Sequence, residues 1–282
     1  MIIFVLKIFL YFFILVNLLK SQSRYIDSIK QVLTKNPHDT IRILCLNNIA
    51  WELLYENTDS ALVNAYKALA ISKKTNDIYY LNKTYQHLGT IYLQKSKHDS
   101  AVYYFKLITN HPHSQKYKRQ LAVAYIGLGN VFYNTGDYKK SLGYYFNSLK
   151  IIEQIKDEHA IGLIHGNIAN VYYNLSEYDN ALKYSKRSLI ISSKLNNLFG
   201  MVSSYNNIGN IYIKFDNKDK ALENYLSALK INEKLKNKIL FADIYNNLGL
   251  IYKDFNQLDI ALNYYLKSIK YYEETDNPYG IS

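Results

Sequence analysis

One cysteine and three prolines in 282 residues set the first limits on this chain. A lone Cys45 excludes an internal disulfide framework and a cysteine zinc site. Flanked by Leu44 and Leu46 in a helical pattern, it reads as a small core residue. Pro37, Pro112 and Pro278 stand in polar clusters, so no proline interrupts a long helical pattern. No sustained alternation of apolar and polar residues is present, which argues against sheets. Charge is not concentrated either. The net charge is +11, but lysines never run longer than two, which reads as a solvated basic surface and not as a nucleic-acid module. A glycine-rich phosphate loop, an HExxH motif, a nucleophile elbow and a pair of catalytic carboxylates are all missing. His111 and His113 flank Pro112 without further ligands at metal-binding spacing, so they read as loop residues. These absences predict no metal, no cofactor and no enzyme activity.

The chain is 49% hydrophobic and carries 30 tyrosines, enough apolar surface for an ordered fold. It opens on "MIIFVLKIFLYFFILVNLLK", apolar but for Lys7 and Asn17, followed by "SQS" with small residues at cleavage-site spacing. Residues 1–23 therefore read as a secretory signal peptide or as an uncleaved N-terminal membrane anchor. Both readings export the remainder to the periplasm or cell envelope. Residues 24–38 form a leading helix and loop.

A forty-residue period governs the rest. A small residue recurs at Ala50, Gly89, Gly129, Ala169, Gly209 and Gly249, and a second follows at Ala61, Ala101, Ser141, Ala181, Ala221 and Ala261. Before the first small residue stands Ile49, Leu88, Leu128, Ile168, Ile208 or Leu248, and three residues after it Leu53, Tyr92, Phe132, Tyr172, Tyr212 or Tyr252. Small residues at these spacings let two helices approach closely while aromatics fill the wedge beside them. The turns between the two helices hold Gly136, Asp216 and Asn256, which suit a left-handed backbone.

This pattern resembles the tetratricopeptide repeat, whose motif runs aromatic, two residues, Leu-Gly, two residues, Tyr, and later Ala, aromatic, Ala. The resemblance covers residues 39–276, in windows of about 39–77, 78–117, 118–157, 158–197, 198–237 and 238–276, with 277–282 the start of a further repeat or a tail. Departures are modest: His165 and Leu46 stand where the motif has an aromatic, and the repeat is stretched to forty residues, as in kinesin light chain-like arrays. The resemblance implies an all-α fold, a TPR-type α-solenoid forming a right-handed superhelix of about six helix-turn-helix repeats with a concave groove. His165 reads as a packed core residue.

At about 100° per residue, the positions after the aromatic and after the Gly/Ala lie beside the core stripe. The resemblance places that face on the groove. Its occupants include Asn130, Asn170 and Asn210 after the Gly/Ala, Asn47, Asn206 and Asn246 after the aromatic position, and Tyr133, Tyr173 and Lys253 one turn on. Asparagine is a mediocre helix former, roughly half a kcal/mol worse than alanine, but its amide both donates and accepts. Two readings follow: this column meets the N–H and C=O groups of a protein or extended peptide, or it reflects a lysine-, asparagine- and isoleucine-rich composition set by nucleotide bias in the gene. Asn48, Asn167, Asn207 and Asn247, which precede the Leu/Ile, read as structural residues bonding to a neighbouring turn. On the first of the two readings, replacing Asn170 and Asn210 by alanine weakens binding and leaves stability nearly unchanged.

Two functions stay open. One is a free-standing exported scaffold that binds a protein or peptide in its groove. The other is the sensory region of a truncated or fragmentary signalling protein, similar to the exported tetratricopeptide arrays of bacterial histidine kinases and transcriptional regulators.

Overall fold

The computed structural model describes residues 24–112 and 114–275. The predicted leader (1–23), His113 and the predicted tail (277–282) lie outside the described residues. Among the described residues there is no strand, and no helix is long and apolar enough to cross a membrane. After α1 (24–34) come six consecutive pairs, each with a helix A and a helix B. They are α2 (Asp39–Glu52) with α3 (Thr58–Thr75), α4 (Ile78–Gln94) with α5 (His98–Thr109), and α6 (Lys118–Asn134) with α7 (Tyr138–Ile155). Then follow α8 (Glu158–Asn174) with α9 (Tyr178–Lys194), α10 (Leu198–Lys214) with α11 (Lys218–Leu235), and α12 (Lys238–Asp254) with α13 (Leu258–Glu273). The fold is the all-α helix-hairpin repeat that the forty-residue period implies.

Capping chemistry sets the boundaries. The first turn of a helix leaves backbone N–H groups without partners, and short polar side chains accept from them. Asn57 accepts from the Ser60 N–H, Asp137 from Lys140, Asp157 from Ala160, Asn197 from Gly200, Asn217 from Lys220 and Asn237 from Leu240. Part of the asparagine content is thus cap. In repeats two to six the chain reverses between helix A and helix B through one left-handed residue: Ser96 (φ 54°), Gly136 (79°), Ser176 (61°), Asp216 (53°) or Asn256 (58°); the turn of repeat one, one residue shorter, has none. Gly136, Asp216 and Asn256 are the residues expected there, and serine takes the same place in repeats two and four.

The chain divides between Thr135 and Gly136 into two compact units. In the first, Ala50, Leu54, Ala61, Ala65, Leu69, Leu88 and Ile91 form one core across α2, α3 and α4. In the second, Val202, Ala221, Tyr225, Ala228, Ile244, Leu248 and Ile251 do the same across α10, α11 and α12. Within each of these cores a hairpin buries apolar surface against its neighbour as well as within itself, which is why such a hairpin is not stable alone. The glycine of the first anchor is required by a ring from helix B of the same pair. A Cβ at Gly89 would lie 2.8 Å from Phe105, at Gly209 2.5 Å from Tyr225 and at Gly249 2.7 Å from Tyr265. Repeats one and four depart from this rule: Ala50 with Ala65, and Ala169 with Ser185, occupy the two positions, so a methyl replaces the hydrogen where a small side chain replaces the ring. A second ring pair recurs as stacked Tyr92–Tyr104, Tyr172–Tyr184 and Tyr252–Tyr264, with centroids 5.6, 5.6 and 5.4 Å apart.

Candidate functional site

The helix A positions beside the core stripe differ in accessibility. Asn130 and Tyr133 on α6, in the first unit, are half-buried. So are Asn170 and Tyr173 on α8, Asn206 and Asn210 on α10 and Asn246 on α12, while Lys253 is exposed. Asn47, which the periodicity placed on the same face, is 0% exposed and donates through Nδ2 to Thr84 Oγ1 at 3.0 Å, tying α2 to α4. A ligand has no access to it.

In the second unit the asparagines form bridges between successive A helices. Asn207 Nδ2 donates to Asn170 Oδ1 at 2.8 Å, joining α10 to α8. Asn247 Nδ2 donates to Asn206 Oδ1 at 2.9 Å and, at 3.4 Å, to Asn210 Oδ1, joining α12 to α10. Asn210 Oδ1 also accepts from the Tyr225 hydroxyl of α11 at 2.6 Å. Tyr225 is 2% exposed, and burial first, then the nearby Tyr173, drives its hydroxyl pKa upward, so it stays a neutral donor. The structural reading of Asn207 and Asn247 describes what they do, with one change: they bond to the A helix of the preceding repeat.

This geometry corrects the picture of a column with both polarities free. The Oδ1 atoms of Asn170, Asn206 and Asn210 are occupied. Their Nδ2 groups donate to none of the described residues, and none of the three nitrogens is sealed from solvent. What the face presents is a set of N–H donors locked in orientation by bonds to the oxygen of the same amide. It also corrects the expectation for Asn170→Ala and Asn210→Ala, because removing either side chain removes bonds between helices. Beside the donors, Tyr173 meets the edge of Tyr178 at 5.7 Å, and Lys214 Nζ lies 5.9 Å from the Tyr173 ring centroid.

Two histidines are held neutral. His87 is 8% exposed, edge-on to Trp51 at 5.5 Å, and burial, with Lys83 adding, lowers its pKa to about 4. His165, the predicted core histidine, is 6% exposed against Tyr184, and burial followed by Arg187 lowers its pKa to about 4. Among the described residues no group of three or more His, Cys, Asp or Glu side chains could hold a metal ion.

The hairpin pairs, the glycine–ring contacts and the inter-repeat bonds define a helical repeat protein of the class whose surfaces are built by stacking. The family model for the tetratricopeptide repeat matches residues 120–189, 161–234 and 200–274, more than half of the chain, and the chain belongs to that family. No curated protein sequence matches it significantly. Among solved structures, it is similar to BtubC (BKLC) from P. vanneervenii, at 18% identity over 77% of this chain and 90% of that one, with a TM-score of 0.64. A Rap protein complexed with competence and sporulation factor is similar at 14% identity, over 88% and 80% of the two chains, with a TM-score of 0.65. A signal-transduction ATPase with numerous domains and a tetratricopeptide repeat sensor, from Pyrococcus horikoshii, aligns at 18% identity over 90% of this chain but 40% of its own, with a TM-score of 0.72. At these identities the likeness is one of fold.

Proposed function

We propose that the chain is a non-catalytic scaffold that binds a protein through an extended segment laid along the helix A face of the second unit. The observation that carries this reading is the set of oriented, unpaired Nδ2 donors at Asn170, Asn206 and Asn210. Main-chain carbonyls of an extended peptide are the matching acceptors, and they recur whatever the peptide sequence. Membership of the tetratricopeptide repeat family supports the protein-binding role. The similar Rap protein, seen complexed with competence and sporulation factor, supports it at the level of fold.

The test is Asn206→Asp combined with Asn170→Asp. Each carboxylate keeps the oxygen that accepts from Asn247 or Asn207 and replaces the free donor by a second acceptor. A displayed random-peptide library panned on the full chain should yield binders that lose about tenfold or more in affinity on the double variant, as two lost hydrogen bonds imply. Undiminished affinity would refute the assignment.

Use of the array as the sensory region of a longer signalling protein needs the same face, and the Pyrococcus horikoshii ATPase is described as carrying such a sensor. The coding sequence beyond codon 282 separates the two forms of the proposal. Export to the envelope is proposed from the apolar leader alone; cell fractionation with mass measurement of the mature N-terminus tests it.

A further inference from the structure

Repeat four lacks bulk that its neighbours carry. Counting in forties, Gly166 stands where repeats three, five and six have Ile126, Asn206 and Asn246, and Ser192 where they have Ile152, Asn232 and Tyr272. Ile152 is 1% exposed and Asn232 0%, so that position normally fills interior space. In repeat four the space is open, as a cavity of about 220 Å³ bounded by α8, α9 and α10. Its wall includes Gly166, Asn170, Ser192 and Asn207, and Leu163 and Phe199, both about half exposed, stand at its rim. No Asp, Glu, Lys or Arg lines it.

The Ser192 hydroxyl is the second observation. The residue is 4% exposed, yet its Oγ bonds to none of the described residues, and that oxygen is not sealed within protein but opens on the cavity. Its counterpart in repeat one behaves differently: Ser72 donates to the Ala68 carbonyl at 2.8 Å and meets Thr84 Oγ1 at 3.2 Å. Asn170, on the same wall, has its Oδ1 taken by Asn207 and its Nδ2 unpaired.

We propose that this cavity is a side-chain pocket for a tyrosine of the peptide bound on the helix A face. The inference rests on the peptide-binding reading and specifies one residue of the partner. Size comes first: an engineered cavity of about 150 Å³ takes up benzene, so about 220 Å³ accommodates a phenol, whereas cofactor pockets start near 300 Å³. A charged occupant would be desolvated with no permanently charged partner, since His159, its Nε2 3.5 Å from Asn197 Nδ2, is the wall's one ionisable side chain. A phenyl or aliphatic occupant would dry the Ser192 hydroxyl and the asparagine amides without pairing them. A phenol fills the space and offers one group that both donates and accepts.

The probes are p-cresol, toluene and propionamide, titrated separately into the full chain while the backbone amide signals of Gly162, Gly166 and Gly200 are followed. The expected result is saturable shifts with p-cresol and binding of toluene and propionamide weaker by about tenfold. Ser192→Ala should bring p-cresol and toluene to parity. Ser192→Ile, the residue type of repeat three, should abolish the p-cresol shifts without lowering the melting temperature. Absence of saturable shifts, toluene or propionamide binding as tightly as p-cresol, or full binding by Ser192→Ile would overturn the pocket. Peptides captured through Asn170 and Asn206 with no p-cresol site would overturn it too, leaving the peptide reading intact. A p-cresol site in a chain whose peptide binding ignores the Asp variants would overturn the tyrosine of a peptide as its occupant and leave a site for a free phenol.

Discussion

Replacing Asn210 with alanine asks whether the asparagine column is built into the fold. The side chain accepts from the Tyr225 hydroxyl at 2.6 Å and, more weakly, from Asn247 at 3.4 Å. Tyr225 is 2% exposed, so its hydroxyl would be left buried and unpaired, at a cost of about 1–3 kcal/mol. Asn247 keeps its 2.9 Å bond to Asn206 and contributes little to the loss. Alanine recovers about 0.6 kcal/mol of helix propensity. The net expectation is a destabilisation of about 1–2 kcal/mol. Adding Tyr225→Phe removes the orphaned hydroxyl and should restore most of the loss, giving a coupling energy of about 1 kcal/mol or more in the double-mutant cycle. Urea unfolding followed by far-ultraviolet circular dichroism gives the midpoints. Hydrogen exchange at α10 and α11 gives the local effect, since repeat arrays can depart from two-state unfolding. A single variant as stable as the parent, or a double variant less stable than the single, would refute the bridge.

Three further outcomes follow from the same structure. His87 and His165, held near a pKa of about 4 against 6.5 unfolded, make the unfolded state bind more protons between those values. Stability should therefore be fully present above pH 6.5 and fall as pH drops towards 4; His87→Phe should flatten part of that slope in thermal melts, and an unchanged slope would count against the buried neutral imidazole. Gly143, in α7 with nothing within 4 Å of a built Cβ, should gain up to about 1 kcal/mol as alanine. The same change at Gly209, where the Cβ would lie 2.5 Å from Tyr225, should lower the urea midpoint instead.

The forty-residue period made the hairpins legible because each anchor is a local requirement. Glycines in repeats two, five and six face a ring sixteen residues later, polar side chains cap many of the helices, and a left-handed residue follows helix A in repeats two to six. The packed position of His165 was legible for the same reason, since it stands in the slot of the anchor aromatic. The bridges were not, because Asn207–Asn170 and Asn247–Asn210 join residues 37 apart whose meeting depends on how repeats stack. A trace exists in retrospect: asparagine before the Leu/Ile of one repeat coincides with asparagine after the Gly/Ala of the repeat before. Asn47 was placed on an open face because periodicity reports the angle around one helix and not the neighbour that covers it. The cavity in repeat four left no positive signal, only Gly166 and Ser192 where repeats three, five and six have larger residues.

The corners that follow helix B carry a further consequence. Lys156 and Lys236 end α7 and α11 with φ of 56° and 57°, a conformation that opposes any residue bearing a Cβ by about 1–2 kcal/mol. Glycine at either place would relax that opposition, and so raise resistance to urea, without touching a core contact. The architecture therefore keeps a margin of stability unclaimed at its bends, and a tougher version of the molecule is reached by editing its hinges while leaving every packed surface as it stands.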